Sequence, residues 1–157
     1  MKIRCISYRL FFFHMFSILT GTLIYLFFRN DSLLFFKWFD VFTSNPILKS
    51  VREYTLALNS FLPDWFLFSF PDGLWIFSYV CLVFLIWGNK INKNIILWIL
   101  IILLLALTHE FGQLFEIFSG TFDYLDILFY VLGISIPVLF FTNIKLTLNL
   151  YKNEKLQ

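Results

Sequence analysis

Four long apolar runs divide this sequence, and they restrict its fold more than any other feature. Each run is close to the length of about 20 residues that a helix needs to cross the hydrocarbon core of a bilayer. We place the four spans at residues 10–28, 73–88, 95–117 and 126–142. Backbone polar groups find no partner in lipid, so such runs are expected to be α-helices. The sequence therefore predicts an all-α integral membrane protein with four transmembrane helices.

The composition favours a membrane protein over a soluble domain. Of the 157 residues, 60% are hydrophobic and only 14% are charged, whereas a soluble domain has about 25% charged residues. A chain this small cannot bury so much apolar surface in water. The formal net charge of +2 is too small to indicate binding to nucleic acid. Membrane lipids are therefore the first partners that we expect.

Basic residues are concentrated in three segments that four spans would place on one side of a membrane. The segments contain Lys2, Arg4 and Arg9, then Lys90 and Lys93, then Lys145, Lys152 and Lys155. The positive-inside rule makes that side cytoplasmic. We predict a multi-pass protein of the bacterial cytoplasmic membrane with both termini in the cytoplasm. Residues 1–145 form the single transmembrane domain, 146–157 a cytoplasmic tail, and 29–72 an outer loop.

The predicted outer loop contains two stretches with helical periodicity. Residues 33–42 carry a polar stripe among aromatic residues, and a second helix is expected to begin at Asn45-Pro46, which resembles an N-cap followed by proline. In the second stretch, apolar residues recur on one face from Ile47 to Leu62. We expect one or two amphipathic helices that lie in the headgroup region or cap the bundle.

Polar side chains gather around the turn between the third and fourth spans, where hydrocarbon is otherwise expected. Ionisable groups at such a depth are costly, so they are the first candidates for function. On the third span, Glu110 and Gln113 lie on one helix face, three residues apart. On the fourth span, Asp126 and Tyr130 share a face, four residues apart. A tight turn would bring these two pairs to a similar depth at the outer side.

Further binding residues are predicted at the same level: Asp72, Asp123, His109 and Glu116. A break at Pro71 is expected to make Asp72 the N-cap of the second span. The aspartates stand at plausible helix N-termini, where a carboxylate is favoured in any case, so capping explains them as well as binding does. His109 fits a residue that stabilises the bundle as well as a ligand. No cap explains Glu110, and Glu110 with Asp126 is the predicted central, catalytic pair.

Clustered carboxylates are compatible with several kinds of chemistry. They can act as general acid and base, hold a hard divalent cation, or form hydrogen bonds with a lipid-linked substrate. They can also simply cross-link the bundle. The sequence has no zinc, phosphate-loop, serine-hydrolase or dithiol motif, and we predict no metal and no cofactor. No arginine follows Arg52, so an arginine clamp for phosphate is not expected near the cluster.

Two stretches resemble the signatures of the VanZ-like membrane proteins. Glu110-x-x-Gln113-x-Phe115, followed after a turn by Asp126-x-x-x-Tyr130-x-x-Gly133, is similar to the family's second signature. There a Glu-x-x-Gln pair precedes an Asp-x-x-x-Asn-x-x-Gly pattern. Residues 72–79 look like the first signature, an aspartate near the start of a span followed by aromatic residues. The resemblance covers roughly residues 70–135.

The chain also departs from the family pattern. Gly73 and Ile76 stand where the family has lysine and histidine, Tyr130 stands in place of asparagine, and the turn lacks an arginine. The resemblance implies a cell-envelope membrane protein without an established reaction. Some members of the family are linked to teicoplanin resistance, so antibiotic resistance is an implied role.

Two hypotheses about function follow from this reading, and neither decides whether the protein is an enzyme. The first is a VanZ-like protein whose outward-facing pocket binds or processes an envelope lipid, a lipid-linked precursor or a glycopeptide-related molecule. The alternative is a non-enzymatic subunit that pairs with another membrane protein through the same polar cluster. The first hypothesis requires an accessible cavity bounded by Glu110 and Asp126.

Overall fold

The computed structural model describes residues 2–29 and 46–142, and the side chains of these residues from Ser7 onward. The regular elements of this part are all helical, which confirms the predicted fold class. In chain order they are α1 (Lys2–Phe28), α2 (Pro46–Ala57), a 3₁₀ turn (Leu58–Phe61), α3 (Asp64–Leu67), α4 (Ser69–Trp87), α5 (Lys93–Leu114) and α6 (Tyr124–Phe141). The predicted amphipathic stretch at 33–42 and the predicted tail at 146–157 lie outside the described residues.

Four segments of the described chain are long and apolar enough to cross a membrane, as predicted. They are Ser7–Phe28, Asp64–Trp87, Lys93–Leu114 and Tyr124–Phe141. The end of α1 lies beside the start of α4. This is shown by Arg29, whose guanidinium is 4.5 Å from the centre of the Phe68 ring. The connection from α5 to α6, residues 115–123, lies at the same end of the bundle. We call this end the turn end.

The second span begins earlier than the predicted residue 73. Contrary to the prediction, Pro71 does not break the chain, because it lies in the first turn of α4, where its missing N–H deprives the helix of no bond. The N-cap of α4 is Phe68, and no side chain caps it. Asp72 is therefore not an N-cap. It lies within the first turn of α4 and is available for other contacts.

The third span ends at Leu114, three residues before the predicted residue 117. The Ile117 amide donates to the Gly112 carbonyl at 2.8 Å, and the Glu116 amide donates to the Gln113 carbonyl at 3.0 Å. These two bonds form the Schellman motif that terminates many helices. The motif needs a left-handed residue, and Glu116 takes that place with φ of 57°. The turn then folds the Phe118 ring directly against Gly112.

Helix α4 is the centre of the bundle and packs most extensively against α1 and α6. Glycines allow the backbones to touch at these two crossings. A Cβ atom at Gly133 would lie 2.5 Å from the Gly73 carbonyl oxygen, and one at Gly21 would lie 3.1 Å from the Pro71 carbonyl oxygen. Helix α5 contacts α4 and α6 over a smaller area. Helices α1, α4 and α6 are therefore closely packed, whereas α5 is packed more loosely.

Helix α2 turns its polar face toward the bundle. Three side chains donate to carbonyls at the end of α1, which have no helical partner: Thr55 to Phe27 at 2.5 Å, Asn59 to Phe28 at 3.1 Å, and Arg52 to Arg29 at 2.7 Å. The apolar side chains of Val51, Tyr54 and Phe61 are exposed instead. A helix held at the end of a membrane span with its apolar face exposed suits the headgroup region. The predicted amphipathic helix is thus present, and it also caps α1.

Replacement of Gly133 should destabilise the bundle. In Gly133→Ala the new Cβ would meet backbone rather than a movable side chain, and overpacking of this kind costs about 1–3 kcal/mol. Unfolding in detergent, followed by circular dichroism, measures the effect. Val131→Leu, at an exposed position of the same helix, is the control and should leave the midpoint unchanged. Equal midpoints for Gly133→Ala and the wild type would contradict the close crossing.

Replacement of Glu116 by glycine should stabilise the chain, because a left-handed residue with a Cβ atom costs about 1–2 kcal/mol. Glu116→Ala removes the same charge but keeps the Cβ atom. We therefore expect Glu116→Gly to unfold at a higher temperature than Glu116→Ala in the same detergent assay. If the two variants unfold together, the left-handed conformation is not the source of the effect.

Candidate functional site

Helices α4, α5 and α6 bring four polar residues together at the turn end: Asp72, Glu110, Asp126 and Tyr130, which we call the carboxylate cluster. Glu110 is its most buried member, with 1% of the residue exposed. The Tyr130 hydroxyl donates to Glu110 Oε1 at 3.0 Å. Glu110 Oε2 is also buried and has no hydrogen-bond partner. Glu110 is thus hydrogen-bonded to Tyr130, which lies one helical turn after Asp126 on α6, and not to Asp126 itself.

Asp72 lies within electrostatic reach of both Glu110 and Asp126. The charges of Asp126, Arg29 and Glu110 all act on the Asp72 carboxyl group. The fully buried Ser69 lies beside Asp126 and interacts with its carboxylate. Neither Ser69 Oγ nor Asp126 Oδ1 has a partner within ordinary hydrogen-bonding distance, and the Ser69 hydroxyl is a donor that Asp126 has nearby. The cluster therefore contains three carboxylates and several unused acceptors.

His109 and Gln113 border the cluster on α5. The His109 side chain is 56% exposed, and its Nδ1 atom lies 3.8 Å from Glu110 Oε1. Its ring stacks on Phe118, with centroids 5.7 Å apart, so the turn orients the imidazole. Gln113 Nε2 lies 3.4 Å from His109 Nδ1, while Gln113 Oε1 is buried without a partner. A protonated His109 would therefore offer Glu110 a positive charge.

Two residues that the sequence suggested for the site have structural positions instead. Asp123 is the N-cap of α6, and its Oδ1 atom accepts from the Leu125 amide at 2.9 Å. This is the capping alternative that the sequence left open for it. Glu116 is exposed and ends α5 as the left-handed residue of the Schellman motif. The structure thus places Glu116 in the turn that follows α5 rather than inside the carboxylate cluster.

Arg29 is a neighbour of the cluster that sequence reasoning missed. Its charge acts on both Asp72 and Asp126, and its guanidinium stacks over the Phe68 and Tyr25 rings. The expectation that no arginine lies near the cluster is therefore wrong. It considered only arginines that follow Arg52, whereas Arg29 reaches the site because α1 ends at the turn end. Arg29 directly follows the first span, and this position in the sequence could have indicated that it lies at the turn end.

A second polar group lies deeper in the bundle, between α1 and α4. His14 Nδ1 lies 2.7 Å from Ser78 Oγ and 3.0 Å from the Ser78 carbonyl oxygen, and the Ser78 hydroxyl donates to the His14 carbonyl at 3.1 Å. An imidazole protonated at Nδ1 satisfies all these contacts. His14 is buried, with 8% exposure. The pair joins α1 to α4.

A cleft of about 510 Å³ connects these two polar levels. Asp72, His109 and Tyr130 line it at the turn end, and His14 and Ser78 line it at the deeper level. Glu110 and Asp126 do not line this cleft, so it is not the cavity bounded by these two carboxylates that the first hypothesis requires. Between them the walls are apolar, with side chains contributed by α1, α4 and α5: Ile18, Ile76, Leu82, Ile102 and Ala106. Ile18 and Leu82 are partly exposed at the bundle surface. The cleft therefore combines a polar end with an apolar groove that reaches the surface of the bundle.

The arrangement favours some of the chemistries that the sequence left open. Among the described residues, no group of three or more histidine, cysteine, aspartate or glutamate side chains could hold a metal ion. The unused atoms of the carboxylate cluster are acceptor oxygens, which bind groups that donate N–H or O–H. A polar group at the turn end attached to an apolar chain in the cleft matches both parts of the site.

Comparisons with models of known protein families, with curated proteins and with solved structures found no match to this chain.

The bond between Tyr130 and Glu110 should appear as energetic coupling. Tyr130→Phe leaves Glu110 Oε1 without this donor in a buried site, which should cost about 1–3 kcal/mol. Glu110→Leu removes the acceptor, so Tyr130→Phe should cost much less in that background. In a double-mutant cycle measured by unfolding in detergent, the two changes should be non-additive, as is usual for residues in contact. Additive effects would contradict the hydrogen bond.

Proposed function

We propose that this chain is a VanZ-like multi-pass protein of the bacterial cytoplasmic membrane that binds an envelope lipid. The headgroup would lie at the carboxylate cluster, and an acyl or isoprenoid chain would lie in the apolar cleft. The observation that carries the proposal is the buried carboxylate of Glu110, with one oxygen unpartnered, beside a cleft of about 510 Å³ that contains Asp72, His109 and Tyr130.

The shape of the cleft supports a lipid over a soluble ligand. Pockets for soluble molecules are also mostly apolar, but they are concave sites that bury most of the ligand. Here the walls are apolar for most of their length, and Ile18 and Leu82 are exposed in helices suited to cross a membrane. A chain could enter sideways from the bilayer, while its headgroup stays at the level of the cluster.

The distribution of charge supports an outward-facing site. The Lys90 and Lys93 region joins α4 to α5 at the end of the bundle opposite the turn end, and the basic residues near both termini fall on that same side in a four-span topology. By the positive-inside rule that end lies in the cytoplasm. The cluster then faces the periplasm or the cell exterior, where lipid-linked envelope precursors and glycopeptides are found.

The proposal commits to binding rather than to a chemical step. Glu110 is held by Tyr130, whereas Asp126 has an unpartnered oxygen and interacts with Ser69. Each carboxylate thus keeps one acceptor oxygen without a partner. Acid and base roles for Glu110 and Asp126 would build on such a complex, since both groups must touch the reacting atoms.

A second candidate function is a subunit that pairs with another membrane protein. In this function the carboxylate cluster would contact the partner, and the exposed apolar face of α5 would extend the contact: Leu97, Leu100, Leu104 and Leu105. Pairing along this face needs no open cleft. An experiment that fills the cleft therefore separates the two candidates.

Ala106→Trp should fill the cleft from α5 without altering the carboxylate cluster. The purified protein is reconstituted in vesicles of phosphatidylethanolamine and phosphatidylglycerol, extracted into detergent, and analysed for retained lipid by mass spectrometry. We expect the variant to retain about tenfold less lipid than the wild type, a difference of about 1.4 kcal/mol. The cause would be the loss of space for the lipid chain.

Leu105→Trp is the matched control, because Leu105 precedes Ala106, is 62% exposed and does not line the cleft. It should retain lipid as the wild type does. Equal retention by Ala106→Trp and Leu105→Trp, with both variants folded, would overturn lipid binding in the cleft and leave the subunit hypothesis.

A further inference from the structure

Helix α2 has three faces with different surroundings, whereas an ordinary amphipathic helix has two. Side chains advance by about 100° per residue around a helix. Three pairs of side chains on α2 therefore fall into separate sectors, with centres roughly 100–150° apart. The pairs are Arg52 with Thr55, Val51 with Tyr54, and Lys49 with Glu53. A helix of this kind fits a position where three environments meet.

The first sector is bound to the bundle. Arg52 donates to the Arg29 carbonyl at 2.7 Å, and Thr55 donates to the Phe27 carbonyl at 2.5 Å. In the 3₁₀ turn that follows, Asn59 donates to the Phe28 carbonyl at 3.1 Å. These carbonyls lie at the end of α1, where the first membrane-spanning segment also ends. The hydrogen bonds therefore fix α2 at the level where this span leaves the hydrocarbon.

The second sector is apolar and exposed. Tyr54 is 70% exposed, and Phe61 in the 3₁₀ turn is 82% exposed. Exposed apolar patches mark contact with another protein or with a membrane. Lipid is the neighbour that the position favours, because α1 exposes Leu23 only about 8 Å before its end. Tyrosine is also enriched at the level where hydrocarbon meets headgroups. The apolar surface of the first span thus continues toward the level of α2.

The third sector is charged. Lys49 and Glu53 are the exposed charged residues of α2, and such groups are costly to place in hydrocarbon. This sector therefore faces water. The two charges are opposite, so the water-facing side has no net charge. Interfacial helices that depend on anionic lipid have a basic face instead. Contact of α2 with a membrane would consequently rest on its apolar side chains.

We propose that α2 is an interfacial anchor, with Val51, Tyr54 and Phe61 inserted among the lipids of the leaflet at the turn end. The partner of this surface is the lipid bilayer itself, and anionic lipid is not required. The anchor is independent of lipid binding in the cleft, since none of its residues lines that cleft. Helix α2 then lies along the line where the bundle, the leaflet and water meet.

The test measures which solvent surrounds each face of α2. Nitroxide spin labels are attached one at a time to Lys49→Cys, Val51→Cys, Glu53→Cys, Tyr54→Cys and Phe61→Cys. The native cysteines are removed by Cys5→Ser and Cys81→Ala, and the protein is reconstituted in phosphatidylcholine vesicles. Accessibility of each label to oxygen, which concentrates in hydrocarbon, is compared with accessibility to a nickel complex that stays in water.

We expect the ratio of oxygen to nickel accessibility to follow the period of about 3.6 residues of an α-helix. It should be several-fold higher at Tyr54→Cys than at Glu53→Cys. These two are a matched pair, because the residues are adjacent and both are exposed. Replacement of part of the phosphatidylcholine by phosphatidylglycerol should leave the ratios unchanged. A ratio at Tyr54→Cys that rises with the anionic lipid would overturn the independence from lipid charge.

The same data distinguish lipid from the other possible surroundings of the apolar face. Low accessibility to both reagents at Tyr54→Cys and Phe61→Cys would mean contact with protein. High accessibility to nickel at both would mean contact with water. Either result would overturn the anchor.

A second measurement uses the wild-type chain, so the proposal stays testable if the chain without cysteines fails to fold. Vesicles contain phosphatidylcholine with a photoreactive diazirine on its acyl chain, and labelled residues are identified by mass spectrometry of peptides. Tyr54 and Phe61 should be labelled in preference to Lys49. Absence of label from both aromatic residues would contradict their insertion among the lipids.

Discussion

A buried carboxylate in a membrane-spanning helix needs a partner, and the bond from Tyr130 to Glu110 is the interaction on which the arrangement of α5 depends. Helices α1 and α6 are held to α4 through glycines that let the backbones touch. Helix α5 has no comparable crossing among the described contacts and packs over a smaller area. Its attachment at the turn end is polar, through Glu110, and aromatic, through Phe118 over Gly112 and His109.

The cleft follows from this difference in packing. Between Ile95 and Leu107, helix α5 carries large apolar side chains, and Ala106 is the one small residue. Large side chains keep helix axes farther apart than glycines do. Helix α5 therefore stands away from α1, and the space between them is lined by α4. The same helix that carries the buried carboxylate thus also leaves room for an apolar chain beside it.

The sequence predicted the coarse structure because each coarse feature depends on local properties. The four spans follow from the lengths of the apolar runs. The similar depth of Glu110 and Tyr130 follows from the short turn between α5 and α6. The partner of Glu110 could not be predicted in this way, since it depends on how α5 and α6 are rotated about their axes. The end of α5 at Leu114 was also missed, because Glu116 takes a left-handed conformation that usually requires glycine.

Residues distant in the sequence were the least predictable part of the site. Arg29 approaches Asp72 only because α1 packs antiparallel to α4, and this contact depends on Gly21 beside Pro71. Asp72 was assigned to a cap because a proline preceded it, whereas helix initiation at Ser69 frees its carboxylate for the cluster. Both errors arose from reading one segment at a time, while the site is formed by four helices.

Whether the oxygens of a carboxylate are hydrogen-bonded distinguishes a structural role from a binding role better than the position of the residue does. Asp123 is a helix cap with its acceptor bond formed, so its presence is explained by the stability of α6 alone. Glu110 and Asp126 each retain a buried oxygen without a donor. Apolar residues of similar size would avoid that cost. The bond from Tyr130 explains Oε1 of Glu110, but the stability of the bundle does not explain the second oxygen. Native proteins keep few such atoms, and those that remain call for a ligand or another specific role. Under the proposed function, a donor-bearing group at the turn end would satisfy these oxygens.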